Sequence, residues 1–396
     1  MSNTFNTNTL IQLFKEGVQP EIRTAIPMAD VAEVDTSNAE FVHYRFGADV
    51  TAENTSDGTY STTDFTYTDD TVQADKEAVV AELVKRTEFS EQGGTGGYLV
   101  MDRVDRHSRA IGVAAHRNAY RETVDGAGLI LDNEVLAGSA SALTPITMSA
   151  SNPDEAASKE YELLQDVGLD TTYGQPYKMI DPQTARFYKL FNMSNGFTNA
   201  DDQLRRGWQV VPLADFDYMI TPEVEREVTV TGASVIATDV LNVKGVAFTI
   251  VASPSSAGDV DLGGDDATTM ANLAAAINGG SGAGTAYIAL SAADRKTLKD
   301  AGVVATTDGA VLTISAFSKI SASSPDATFT VGTEAKVLIS GIRRSTLLRL
   351  PSEGLTVVKN DMLESDTGIQ LRSSQQHGAG VWNKNANKIV KTLVVG

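Results

Sequence analysis

Between the glycine cluster "GGTGG" (93–97) and the breaker "DGAG" (125–128) the chain runs without a proline or a cluster of turn residues. Val100, Val104, His107, Ile111 and Ala114 recur there at helical spacing, which predicts one long helix over 98–124. Two histidines sit in it. At about 100° per residue, His107 and His116 point about 180° apart on a helix, so they do not share a metal. His107 falls in the apolar stripe and reads as a packed or interfacial residue. His116 is expected on the face that carries Asp102, Arg106 and Arg109, laced by the i,i+4 pairs Asp102–Arg106 and Asp105–Arg109. The small residues Ala110, Gly112, Ala114 and Ala115 let other elements approach closely. Gly112 in mid-helix costs roughly 1 kcal/mol relative to alanine, a cost that packing usually offsets.

On either side of this helix the chain changes texture. Residues 1–40 are polar, contain Pro20 and Pro27 and read as an extended arm with one short helix near Leu10 to Phe14. "FVHYRF" (41–46) then alternates, "AENTSDGTYSTTD" supplies turn residues, and the return segment places Phe65 and Tyr67 on one side of a strand. Together 41–75 make a long acidic β-hairpin, too thin to hold a core. Residues 153–225 alternate between helical segments ("PDEAASKEYELLQDVG"), a strand leading through a proline into a helix ("YKMIDPQTARFYKLF") and an extended segment ("GWQVVPLADFDYMI").

At about residue 228 Ala, Gly, Ser, Thr and Val become dense and aromatics rare, until about 337. Within this stretch Met270, Leu273, Ala274 and Ile277 share one helical face, with Asp265 or Asp266 as cap and Gly279 as stop. Ser291 and Asp294 form a capping-box arrangement closed by Gly302. Flanking alternating segments make the stretch a small α+β unit. From 338 the character of the first half returns through "KVLISGI", "GIQLRSS" and "NKIVKTLVV", which argues for an insertion rather than tandem domains.

Chemistry is poorly represented. There is no cysteine, so disulfides, thiolate nucleophiles and cysteine-ligated metals are excluded. The four histidines, His43, His107, His116 and His377, have no recognisable catalytic context. "GGTGG" lacks the strand before it and the Gly-Lys-Ser/Thr after it that a phosphate loop needs. "DVDLGGDD" (259–266) begins like a calcium loop but has Met270 where a bidentate glutamate belongs. No catalytic residue, metal or cofactor is expected. A net charge of −19 argues against phosphate-tracking contact with nucleic acid and favours solubility. The N-terminus lacks a basic leader and no run reaches membrane-spanning length, so a soluble chain, intracellular at synthesis, is expected.

The order of arm, acidic hairpin, long amphipathic helix, mixed domain with "YKMIDPQTARFYKL" and extended C-terminal return resembles the major capsid proteins of tailed bacteriophages, the Hong Kong ninety-seven fold. The resemblance covers nearly the whole chain apart from about 228–337. It implies an α+β fold with an N-terminal arm (1–40), an extended loop (41–75), a peripheral domain (76–129 and 338–396) holding the spine helix 98–124, an axial domain (130–227) and an insertion domain (228–337). It implies a non-enzymatic protein that self-assembles as hexamers and pentamers into the icosahedral shell around double-stranded DNA. A separate scaffolding protein, a portal and an optional decoration protein would be partners, no membrane would be involved, and the place would be the virion after assembly in the host cytoplasm. Phe65, Tyr67, Arg103, Arg106, Arg109, Arg117 and Arg121 are the expected assembly-interface residues, the arginines facing outward toward acidic partners such as a neighbouring copy's hairpin. Residues 47–75 contain no lysine, so the covalent loop cross-link of some family members is not expected. Three rivals stay open: a cellular nanocompartment shell of the same fold, a phage tail or adhesion protein, and an enzyme with convergent carboxylates.

Overall fold

The computed structural model describes residues 22, 25–39, 41–47, 67–85, 97–138, 144–149, 151–166, 176–194, 216–360 and 368–395. Helices and strands mix throughout, an α+β architecture, and contacts gather into two compact units.

The first unit comprises Met1–Leu129, Leu163–Tyr177 and Gly341–Val390. Its organising strand is Gly368–Val381, which pairs along ten positions with Lys76–Lys85, from Gly368↔Lys85 to His377↔Lys76. Leu355–Asn360 runs antiparallel along the opposite edge, and Thr346–Arg349 pairs with the final four residues. Glu33–Asp35 adds to Thr346–Arg349 in parallel. The expected long helix spans Gly97–Asp125, 29 residues, or about 44 Å at 1.5 Å per residue.

That helix is buried on more than one side. Val104, His107 and Ile111 lie against the sheet, as the apolar stripe predicts, and Thr123 Oγ1 meets Thr346 Oγ1 at 3.1 Å. A second element covers another face. Ile22, Ile26, Met28 and Val31 are buried, and a Cβ built on Gly112 would lie 2.5 Å from Ala25 Cβ and 3.1 Å from the Ile22 carbonyl. The missing side chain of Gly112 therefore leaves the groove against which Ile22 and Ala25 lie. The short helix expected near Leu10 to Phe14 falls outside the described residues.

The second unit comprises Ile130–Glu162, Lys178–Ser340 and Lys391–Gly396. Its largest sheet includes, in order, Val304–Asp308, Val311–Ala316, Arg226–Gly232, Ala335–Ile342 and Ile389–Val395. Arg226–Gly232 and Ala335–Ile342 meet at Glu227↔Ala335 and Arg226↔Lys336. The Ala/Gly/Ser/Thr/Val-rich stretch thus begins and ends on hydrogen-bonded neighbours, closed by an Arg226–Glu334 ion pair at 2.5 Å. Between these ends lies a continuous core including Leu241, Phe248, Ile250, Met270, Leu273 and Phe329.

The two helices of that stretch follow their caps. Asp265 accepts the Thr268 N–H at 2.7 Å, Asp266–Asn278 is helical, and Gly279 takes φ +63°. Ser291 Oγ accepts the Asp294 N–H at 3.1 Å, Ala292–Asp300 is helical, and Gly302 takes φ +64°. Pro153–Asp166 and Pro182–Ser194 are helices where the sequence places them. Asp181 caps the latter through the Gln183 and Thr184 N–H groups, and it accepts a 2.7 Å hydrogen bond from Lys336 Nζ, which holds its carboxyl below the usual range against the opposing effect of burial. Glu160 and Lys178 form an ion pair at 2.5 Å with neither side chain exposed, and Thr392 Oγ1 donates to the other Glu160 oxygen at 2.6 Å.

Candidate assembly interface

Phe41–Gly47 and Tyr67–Gln73 form the expected hairpin, antiparallel from Phe41↔Gln73 to Gly47↔Tyr67. The pair stands as a sheet of two strands, with no third strand alongside among the described residues. Tyr67 opens the return strand, whereas Phe65 and the tip at 48–66 lie outside the described residues. Among the described side chains its apolar support lies at the base, where Val72 packs with Leu347, Trp382 and the partly buried Val42.

Two glycines let the hairpin come that close. A Cβ on Gly378 would collide with the Gln73 carbonyl, and one on Gly380 would lie 2.8 Å from Val72 Cγ2. Beneath them Arg349, fully buried, holds the base together. Its Nε donates to Asp35 Oδ2 at 3.1 Å, Nη1 to the Val72 carbonyl at 3.3 Å, and Nη2 to the Ala39 carbonyl at 2.7 Å and the Ser37 carbonyl at 3.5 Å. Beside the base lies a cavity of about 760 Å³ lined by Asp70, Asp75, Glu122, Asp125 and Trp382. Burial there pushes the Glu122 carboxyl above its usual range, and Asp125 adds to the effect.

The arginines of the long helix do not form one outward face. Arg106 and Arg109 are exposed, Arg117 and Arg121 are half-buried, and Arg103 is only 7% exposed, so the expectation of five outward arginines fails at Arg103. Arg109 pairs with Asp105 at 3.5 Å, as its spacing predicts. Arg106 reaches Glu82 at 3.3 Å on the neighbouring strand; the expected Asp102–Arg106 pair lies outside the described residues, because the Asp102 side chain does.

The histidines are held in place by packing. His107 Nε2 faces Glu82 Oε2 at 3.4 Å and Nδ1 faces Ser373 Oγ at 2.9 Å. A carboxylate only accepts, so Nε2 carries the proton and Nδ1 accepts from the serine. Burial lowers the His107 pKa below its ordinary 6.5, partly offset by Glu82. His116 is a correction: it is wholly buried, its Nδ1 accepts the Met28 N–H at 3.4 Å, and its ring meets Tyr120 edge-on at 5.7 Å. The chain packed into the Gly112 groove covers that face at His116, while Arg106 and Arg109 on the same face stay exposed. His43 Nδ1 meets Thr71 Oγ1 at 2.8 Å across the hairpin, and the buried His377 lies near its own strand's Gln375 carbonyl at 3.4 Å. Among the described residues no three His, Asp or Glu side chains gather as a metal set.

No family model and no curated protein matches the sequence. Solved structures do. The chain is similar to one from Mycobacterium phage Che8, at 9% identity and TM-score 0.47 over 90% of this chain and 85% of that one. It is similar to the mature capsid of bacteriophage PhiM1, at 9% identity and TM-score 0.46 over 93% and 87%. It is also similar to a virus-like particle from Pyrococcus furiosus, at 9% identity and TM-score 0.40 over 96% and 98%.

Sequence reasoning missed Arg349 and the glycine pair. The signals were present: one arginine inside the apolar run "TLLRLP" (346–351), and glycines two apart in "HGAG" (377–380), which fall on the same face of a strand.

Proposed function

We propose that this chain is a major capsid protein of a tailed bacteriophage, assembling through many copies of itself into a closed icosahedral shell around double-stranded DNA. The observation that carries this reading is the hairpin. Seven residue pairs stand as a two-stranded ribbon whose apolar anchor among the described side chains lies at the base, and an isolated two-stranded hairpin is at best marginally stable in water. Such a ribbon gains its stability by lying on another surface, and in a symmetric assembly that surface is a neighbouring copy. The exposed Arg106 and Arg109, each paired with a carboxylate at the surface, can exchange those partners for carboxylates of such a copy's acidic hairpin. Each contact is small, and closure of the shell makes the later ones effectively intramolecular.

In this reading the arm, extended loop, peripheral, axial and insertion domains have the boundaries given from the sequence. The paired entry and exit of the inserted stretch support its separateness. The chain encloses DNA without gripping it, as its net charge of −19 favours, and it works with a separate scaffolding protein and a portal. Deleting residues 48–66 tests the reading. The expected result is a soluble, folded chain that forms no stable shells on negative-stain grids; normal particles from this deletion would remove the hairpin from the account.

A further inference from the structure

A single side chain binds two segments that the chain's course makes independent. Arg349 lies in Thr346–Arg349, has no exposed surface, and points its guanidinium at the stretch 35–39 on one side and at the hairpin's return strand on the other. From 35–39 it receives the Asp35 carboxylate and the Ser37 and Ala39 carbonyls; from the return strand it receives the Val72 carbonyl. Residues 36–39 are themselves exposed and outside regular structure. They are held at their outer side by Asn38 Oδ1, which accepts the Glu353 N–H at 2.9 Å, and by the Ser352 N–H to the Thr36 carbonyl at 3.2 Å.

We infer that Arg349 is a latch that couples the order of the N-terminal arm at 35–39 to the order of the extended hairpin. A buried cation deprived of part of its acceptor set is costly, because guanidinium N–H groups without partners cannot be solvated in place. If 35–39 lifts away, Arg349 loses its carboxylate and two carbonyls and turns toward water, which releases Val72 and with it the hairpin base. If the return strand lifts, water reaches the guanidinium and the hold on Asp35 weakens. Linkage makes the two effects equal in free energy, so a neighbour that captures either segment changes the availability of the other. The coupling belongs to the single chain and stands whether or not the chain forms a shell.

Hydrogen exchange on the full-length chain, with one perturbation on each side, tests this. Asp35→Asn removes the anion from the arm side; the expected result is faster exchange at 70–73 by about tenfold, within the range usual for coupled sites. Gly378→Ala drives a methyl group into the Gln73 carbonyl on the hairpin side; the expected result is faster exchange at 33–39 by a similar factor. In Arg349→Met both segments open, and adding Asp35→Asn to it has no further effect on the hairpin. The exchange of Ile111–Tyr120 in the long helix serves as the control for general unfolding. Acceleration confined to the mutated side in both single variants, with that control unchanged, overturns the latch. So does an Asp35→Asn effect on the hairpin that persists undiminished in the Arg349→Met background.

Discussion

His107 Nδ1 lies 2.9 Å from Ser373 Oγ, joining the long helix to the organising strand of the sheet across 266 positions of sequence. With Glu82 on its other nitrogen, the ring bridges helix and two strands as a neutral imidazole.

That arrangement makes stability depend on pH. Burial depresses the folded pKa of His107 below 6.5, and His377 is depressed for the same reason, so below neutrality these two groups bind fewer protons in the folded chain than in the unfolded one. Their contribution is complete above about pH 6.5 and is lost as pH falls through the lowered folded values. Denaturant midpoints measured between pH 7.5 and 5 should fall, and His107→Gln should flatten the dependence. An unchanged slope in that variant would take His107 out of this role.

Gly112→Ala sets helix propensity against packing. An exposed mid-helix glycine replaced by alanine gains about 1 kcal/mol, but here the new methyl would meet Ala25 Cβ at 2.5 Å. A net loss of about 1–3 kcal/mol is expected, as for overpacked sites, with exchange at 25–31 rising first. Stabilisation would mean that the entering chain is free to move aside.

The Glu160–Lys178 pair, buried on both sides, should behave asymmetrically. Lys178→Met alone leaves a buried carboxylate and should cost about 3–5 kcal/mol, whereas Lys178→Met with Glu160→Leu should recover much of it. Urea titration of the two variants and the wild type gives the comparison, and equal losses would contradict it.

Arg106→Glu with Arg109→Glu should affect association more than folding. Both side chains are exposed and their pairs with Glu82 and Asp105 are surface contacts, worth about 1 kcal/mol or less each. The melting temperature should move by a few degrees while particle yield on sedimentation drops sharply. Unchanged yield would remove this patch from the interface.

Local signals were legible in the sequence and long-range ones were not. The helices Asp266–Asn278 and Ala292–Asp300 were readable to within a residue because cap, stripe and stop glycine lie within one short window. Asp105–Arg109 was readable for the same reason, while the Arg106–Glu82 pair spans 24 positions, where spacing says nothing. His116 was misplaced because a period identifies a buried stripe but not a second covering element, at which the small residues around Gly112 only hinted. Arg349 was missed because three of its acceptors are backbone carbonyls, which any sequence supplies. The hairpin itself was visible as alternation; what anchors it was not.

Electron microscopy of the purified chain at high concentration is the decisive experiment. The account predicts closed shells of uniform diameter that sediment as single large particles. A preparation that stays as compact monomers at high concentration would contradict it.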